Sequence, residues 1–358
     1  MKAMVLAAGL GERMVPLSLV LPKPAIPVLG RPIILEVLRG LARAGILDVT
    51  VNLHHKGDRL AELLAEGRPG PAKIHLSPEK SILGTGGGIR HASRFLTGSG
   101  TILVRNSDFL ADIDLSAAVA AHRSSGAAAT LVVAPARPGY SELAVDRDGR
   151  VLSIGGEPPV DPGRVAGRHL FTGCHLIEEE VLDLIPPRGP SDIVRHVYRR
   201  LAEEGRLHAV AHDGFWWEFG TPREYLEGSL RLLGLPAEVR RPILETDPVR
   251  TFGSASVAVG PGADLHAGVE FHGRAAIGFA CMIAEGCRLE DTVVLPETWL
   301  GPGCRFRRCI VGPATEIPAS FEADGAMVCA DPDPRAELPP GTIRSQGLLI
   351  RSFEAGAP

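Results

Sequence analysis

From Val259 onward an apolar residue returns at every sixth position: Val259, Leu265, Phe271, Ile277, Ile283 and Leu289. A second, smaller series stands two residues ahead of it: Ala263, Val269, Ala275, Cys281 and Cys287. After a slip the pattern resumes at Leu300 and Phe306, then at Val311 and Ile317, preceded by Cys304 and Cys309. Such a hexapeptide period describes a left-handed β-helix, in which each face contributes one short strand followed by a turn. One residue per face has to fit the corner of the interior, which accounts for the small series. An ordinary all-β domain with turn glycines is the plainer alternative, and the unbroken run of hits favours the coil. Four of the six cysteines, Cys281, Cys287, Cys304 and Cys309, fall in the small register. A free thiol there acts as a small hydrophobe. Zinc would call for paired C-x-x-C spacing, which the chain lacks.

Ahead of the repeat the patterning is of another kind. The chain has 358 residues, enough for two domains. Its 45% hydrophobic and 22% charged residues are an ordinary balance for a soluble protein. A net charge of −4 points to neither nucleic acid nor an anionic membrane surface. No apolar run is long enough to span a bilayer. The N-terminal apolar run is only a strand long, and glycine and charge follow at once. It therefore reads as a first strand rather than a secretory signal, and the protein is expected in the cytoplasm. The spacing predicts strands over 2–7, 49–53, 72–76 and 101–104. It predicts helices over 33–47, over 58–65 with Asp58 as cap, and over 84–96. This rhythm implies a Rossmann-like, mainly parallel sheet with helices on both faces. Its ligand site is expected at the carboxyl ends of the strands. The expected divisions are 1–233, a linker over 234–256, the repeat over 257–330, and a Pro-rich segment and tail over 331–358.

Four motifs carry chemistry. The first strand runs into Ala8-Gly9-Leu10-Gly11-Glu12-Arg13, where glycines let backbone N–H groups approach a phosphate chain and Arg13 adds a bidentate cation. A dinucleotide-binding fingerprint fails because position 14 is Met, and a P-loop fails because no Gly-Lys-Ser/Thr follows. The loop continues to Pro22-Lys23-Pro24, a lysine on a stiff, exposed backbone. Leu83-Gly84-Thr85-Gly86-Gly87-Gly88 would be costly inside a helix but at a helix start lets a base or ribose lie against the backbone. A merely flexible loop is the plain reading. In Asn106-Ser107-Asp108, the carboxylate just past a strand end suits Mg²⁺, while Asp114 suits the cap of a helix starting near Leu115. In Trp216-Trp217-Glu218-Phe219-Gly220-Thr221-Pro222-Arg223-Glu224, Thr221 and Glu224 form a capping box. Glu218 is then a carboxylate among aromatics that needs a cation.

Taken in this order, the motifs resemble those of the sugar-1-phosphate nucleotidyltransferases. The most specific stretch runs from Leu6-Ala7-Ala8-Gly9-Leu10-Gly11-Glu12-Arg13 through Pro22-Lys23-Pro24 to Gly30-Arg31-Pro32-Ile33. The hexapeptide tail is similar to that of mannose-1-phosphate guanylyltransferases. The resemblance implies that Arg13 and Lys23 contact the phosphates of a nucleoside triphosphate and a sugar 1-phosphate. It implies that Ala8, Gly9, Gly11, Gly84, Thr85 and Gly86 line the nucleotide, that Glu157 and Gly173 bind the sugar phosphate, and that Asp108 and Glu218 hold Mg²⁺. The implied reaction is in-line attack of a sugar-phosphate oxygen on the α-phosphorus, expelling pyrophosphate, within a homo-oligomer assembled through the C-terminal part.

Three positions depart from the family pattern. Ser107 replaces a glycine, Glu218 replaces an aspartate, and Glu157-Pro158-Pro159 replaces Glu-Lys-Pro, which removes a cation expected at the sugar phosphate. These departures favour a regulatory subunit that binds a nucleotide-sugar without turnover. Retention of Arg13, Lys23, Asp108 and a carboxylate at 218 favours the enzyme. An acyltransferase in the repeat would have only His266 and His272 to draw on. On this reading, a chain ending near Gly234 keeps the nucleotide site.

Overall fold

The computed structural model describes residues 1–67, 70–246, 248–335 and 337–354. These form two compact units that interleave in sequence. Met1–Gly9, Val37–Ser107 and Ala111–Trp216 make the first; Leu10–Glu36, Asp108–Leu110 and the described residues from Trp217 onward make the second.

The first unit is built on a nine-stranded sheet whose main path runs Val151–Ile154, Glu142–Val145, Gly167–Glu178, Thr101–Asn106, Lys2–Leu6, Asp48–Leu53, Lys73–Pro78. The first four strands in sequence pair in parallel, as the βα rhythm requires. After Asn106 the sheet grows through the antiparallel strand Gly167–Glu178, which pairs with three others. Alternate strand residues Met4, Ile102, Val104, Leu131, Val133 and Ile177 meet Ile89, Leu96, Val181 and Leu201 from the helices in one apolar core. That burial is the main force holding the layer to the sheet.

Two helix readings are corrected. The helix expected over 84–96 is two pieces, Gly84–His91 and Ser93–Leu96, separated at Ala92. Asp58 is not a cap: Lys56, in the left-handed region at φ 51°, takes the cap position of Gly57–Glu66. Asp58 stands instead in the first turn, where its charge suits the helix dipole.

In the second unit the hexapeptide register winds into a three-faced coil. One face stacks Asp264, Met282, Trp299 and Glu316 in an outer row over an inner row of Leu265, Ile283, Leu300 and Ile317. The next stacks Phe271, Leu289, Phe306 and Ala323 in its inner row. The third stacks Val259, Ile277, Val294, Val311 and Val328. The slip in the repeat has a definite origin. Between Glu270–Ile277 and Arg288–Val294 the register shifts, so that Gly273 and Arg274 oppose the single residue Asp291. The Asp291 carboxylate accepts the Arg274 backbone N–H at 2.9 Å and closes this bulge.

The small corner residues do more than fit. Cys281, Cys287, Thr298 and Cys304 each donate to a carbonyl 14 positions on, those of Leu295, Gly301, Gly312 and Pro318, at 2.6–3.2 Å. The outer row of the third face, Ala258, Ala276, Val293, Ile310 and Met327, is apolar and buried. Helix Pro222–Leu233 packs on that face.

The segment read as a linker carries structure: helix Ala237–Arg240, and strand Val249–Phe252 antiparallel to Ala255–Val259. Proline and charge hid this because the strand lies at an edge with an exposed row. Position 247 lies outside the described residues. In the segment read as a Pro-rich tail, Thr342–Ser345 and Leu348–Ser352 form a hairpin on Ala326–Ala330; positions 336 and 355–358 lie outside the described residues.

Candidate active site

The residues predicted from sequence divide between the two units. In the first, Ala8 and Gly9 follow the strand Lys2–Leu6. The N–H of Ala7 donates to the Asn52 side chain at 2.7 Å, Asn52 donates to Glu79 at 2.7 Å, and the other Glu79 oxygen accepts the N–H of Leu83 at 3.0 Å. The buried pair Asn52–Glu79 thereby ties the turn after the first strand to the glycine-rich segment. The sequence reading missed both residues, since neither belongs to a glycine or acidic motif.

The glycine-rich segment has a packing reason of its own. A Cβ at Gly84, which sits at φ 71°, would meet the Ser191 carbonyl at 2.6 Å, and one at Gly86 would meet Ser191 Oγ at 2.8 Å. The N–H groups of Gly86 and Gly87 already donate to that carbonyl, at 2.8 and 3.2 Å. Thr85 Oγ1 accepts the Ile193 N–H at 2.9 Å. The glycines therefore admit the protein's own 189–193 segment on this side.

Gly173 lies in a bulge between Phe171 and His175, at φ 82°, and a Cβ there would meet the Asn106 amide at 2.7 Å. Glu157 closes a two-residue hairpin turn over Gly155 and Gly156, both with positive φ. Its carboxylate pairs with the guanidinium of Arg199, just after the π-helical turn Val194–Tyr198. Glu157 thus meets a cation that comes from a distant element.

The second unit holds Gly11, Arg13, Lys23, Asp108 and Glu218. Gly11, at φ 68°, opens the short turn Glu12–Met14. Lys23 is not on exposed backbone: Pro22 and Pro24 are buried, and the lysine side chain is 12% exposed. Its Nζ donates to Asp108 Oδ2 at 2.5 Å. Arg13, with a 64% exposed side chain, donates to Glu218 Oε1 at 3.3 Å. Asp108 and Glu218 come from neighbouring positions of a ribbon, because the Asp108 carbonyl accepts the N–H of Phe219 at 2.8 Å. Trp217 on that ribbon donates its indole N–H to the Glu224 carbonyl, and Thr221 caps the next helix by accepting the Glu224 N–H. Burial and then the negative charge of Asp108 lift Glu218 above the usual carboxylate range, against the pull of Lys23 and Arg13.

Of the neighbouring acids, Asp114 is the helix cap that the sequence predicts. Asp114 accepts the N–H of Ala117 at 2.9 Å as a helix cap, and Asp112 pairs with His212 at 3.3 Å. Ser107 is buried and its hydroxyl donates to the Leu6 carbonyl at 2.7 Å, so serine fits where the family pattern has glycine.

Two carboxylates, each paired with a cation, thus stand close enough for Asp108 to raise the pKa of Glu218. The chain belongs to the nucleotidyl transferase family, whose model matches residues 2–234. Among relatives, it is 28% identical over 336 residues to a UTP–glucose-1-phosphate uridylyltransferase of Synechocystis sp., covering 86% of each chain. It is 29% identical over 313 residues to the mannose-1-phosphate guanylyltransferase of Mycobacterium tuberculosis, covering 86% of this chain and 83% of that one. The fold matches the crystal structure of HddC from Yersinia pseudotuberculosis complexed with GMP-PN at a TM-score of 0.54 and 21% identity, over 64% of this chain and 98% of that one. Within the family the chain is a sugar-1-phosphate nucleotidyltransferase.

Proposed function

We propose that the protein transfers the nucleotidyl group of GTP to mannose 1-phosphate, forming GDP-mannose and pyrophosphate. Support for the base and sugar comes from the mannose-1-phosphate guanylyltransferases among its relatives. The observation that carries the chemistry is the doubled ion pair, Lys23 with Asp108 and Arg13 with Glu218.

Arg13 and Lys23 neutralise the phosphates, and Gly11 lets the loop that bears Arg13 turn tightly. Ala8, Gly9, Gly84, Thr85 and Gly86 line the nucleotide. Glu157 and Gly173 bind the sugar phosphate, with Arg199 supplying the cation that Pro158 cannot. The nucleophile is an anionic sugar-phosphate oxygen, so no general base is needed. It attacks the α-phosphorus as the bond to pyrophosphate breaks, and the two cations stabilise the charge that builds on both sides.

The residues fit Mg²⁺: two hard carboxylate oxygens stand close enough for Asp108 to raise the pKa of Glu218, an excess of negative charge suited to a divalent cation. Asp108 and Glu218 would hold it, and it would supply further neutralisation of the triphosphate. Among the described residues no third His, Cys, Asp or Glu joins such a group, so substrate oxygens and water would complete the shell.

We assign the protein to the cytoplasm. All six cysteines are unpaired and buried, which suits a reducing compartment. Among the described residues no helix is long and apolar enough to cross a membrane. Assembly through the coil is supported by Met282 and Trp299, large apolar side chains exposed at paired positions of one face. Trp299→Glu should lower the mass in solution, and an unchanged mass removes that face from the interface.

The test of activity is pyrophosphate release from each common nucleoside triphosphate with each of several sugar 1-phosphates. GTP with mannose 1-phosphate should give the highest kcat/KM. Preference for another pair overturns the substrate assignment. Tight binding of a nucleotide-sugar with no pyrophosphate release from any pair returns the regulatory reading.

A further inference from the structure

The last described strand of the coil, Leu348–Ser352, reaches back to the loop that carries Arg13. Arg351 Nη1 donates to the Val15 carbonyl at 2.6 Å and to the Arg13 carbonyl at 3.3 Å, 336 and 338 positions away in sequence. Within the loop, Met14 and Val15 turn their N–H groups inward to Gly11 and Glu12, which leaves the carbonyls of Arg13 and Val15 facing the guanidinium. Partial burial lowers the pKa of Arg351, and a guanidinium in such surroundings stays charged where its protons are accepted.

The platform beneath Arg351 is firm. Its strand pairs on both sides, with Met327 across from Arg351 on one strand and Thr342 on the other. Leu348 and Leu349 are buried, and the turn into the strand uses Gln346 and Gly347 at positive φ. The object held is soft by comparison. The Arg13 side chain is long and mostly exposed, and it reaches Glu218 at the outer edge of hydrogen-bond distance. Where its guanidinium stands depends on the backbone of Glu12–Val15, and Arg351 grips that backbone from outside the loop.

We propose that Arg351 is a positioning residue for nucleotidyl transfer: it holds the Arg13 turn so that the Arg13 guanidinium is preorganised for the triphosphate. This rests on the reading of Arg13 as a phosphate ligand. Without the grip, the turn must be ordered each time nucleotide binds, so the loss falls on the nucleotide rather than on the sugar phosphate.

The experiment uses the full chain in four forms: wild type, Arg351→Ala, Arg13→Ala and the double variant. In Arg351→Ala, kcat/KM for the nucleoside triphosphate should fall about tenfold or more, with KM for the sugar phosphate little changed. The same change in the Arg13→Ala background should cost almost nothing further, because the group being aimed is gone. Arg351→Lys should recover part of the loss, since an ammonium keeps one of the two carbonyl contacts.

Amide hydrogen exchange supplies a readout independent of turnover: residues 10–16 should exchange faster in Arg351→Ala, while residues 256–330 stay as in wild type. An equal loss in both backgrounds, an unchanged kcat/KM, or unchanged exchange at 10–16 overturns the proposal. If Arg351→Ala does not fold, Arg351→Gln carries the same cycle and exchange comparison. If wild type turns over no substrate pair, the functional reading fails, and the exchange comparison still decides whether Arg351 holds the turn.

Discussion

Glu218 is half-buried, and its neighbours pull in opposite directions. Asp108 makes its charge costly, while Lys23 and Arg13 make it tolerable. Each cation is paired with a carboxylate. A triphosphate that takes the cations leaves both carboxylates in want of positive charge, so nucleotide and divalent metal should bind together. Asp108→Asn and Glu218→Gln should each lower turnover by orders of magnitude with little loss of melting temperature, and excess chelator should abolish wild-type turnover. Full turnover in chelator rules out the metal. Mn²⁺ titration followed by electron paramagnetic resonance should show tight binding only with nucleotide present.

A second buried group makes a prediction about pH. His175 sits against Phe171 and Tyr198, and burial lowers its pKa from 6.5 to about 3. Unfolded chains take up this proton as the pH falls through 6.5, whereas the folded protein does so only near 3. Stability is therefore lost on acidification across that window. His175→Leu should remove about 2 kcal/mol of the loss between pH 7 and pH 5, read from urea midpoints. Equal slopes in variant and wild type would refute this.

At the scale of elements, the coil shows why thiols and hydroxyls share one register. Each donates to a carbonyl in the following coil that would otherwise face the interior unpaired. Thr298→Val keeps the shape and removes the donor to Gly312. It should cost about 1–3 kcal/mol in denaturant unfolding, the penalty of an unsatisfied buried carbonyl. Thr298→Cys keeps a weak donor and should cost less. A valine variant as stable as wild type would mean that filling the corner is all that matters.

For the whole molecule, the coil and the loop that carries Arg13 belong to one compact unit. The Tyr225 hydroxyl donates to the Pro27 carbonyl, and Arg351 grips the Arg13 turn. These contacts argue against the expectation that a chain ending near Gly234 keeps its nucleotide site. Such a chain should lose nucleotide binding and expose the apolar side of helix Pro222–Leu233, which packs on the strands Ala255–Val259, Glu270–Ile277 and Arg288–Val294. Isothermal titration of the truncated protein with nucleoside triphosphate decides this: wild-type affinity would restore the original expectation.

What the sequence determined by itself was local and periodic. A six-residue apolar period leaves a chain few ways to bury its stripe other than a coil. The βα rhythm dictated the parallel strands at the start of the sheet, and a threonine ahead of proline and glutamate marked a helix start. It also singled out Arg13, Lys23, Asp108 and Glu218 as residues that need opposite charge. Only the tertiary structure decided the partners. Lys23 meets Asp108, Arg13 meets Glu218, Arg199 meets Glu157 and Arg351 meets the Arg13 turn across long stretches of chain. Such pairings leave no periodic trace, because a long cationic side chain bonds wherever packing of other residues brings an oxygen within reach. The glycines after Leu83 teach the same lesson: composition marked a place with no room for a Cβ, and only the fold showed that Ser191 fills it.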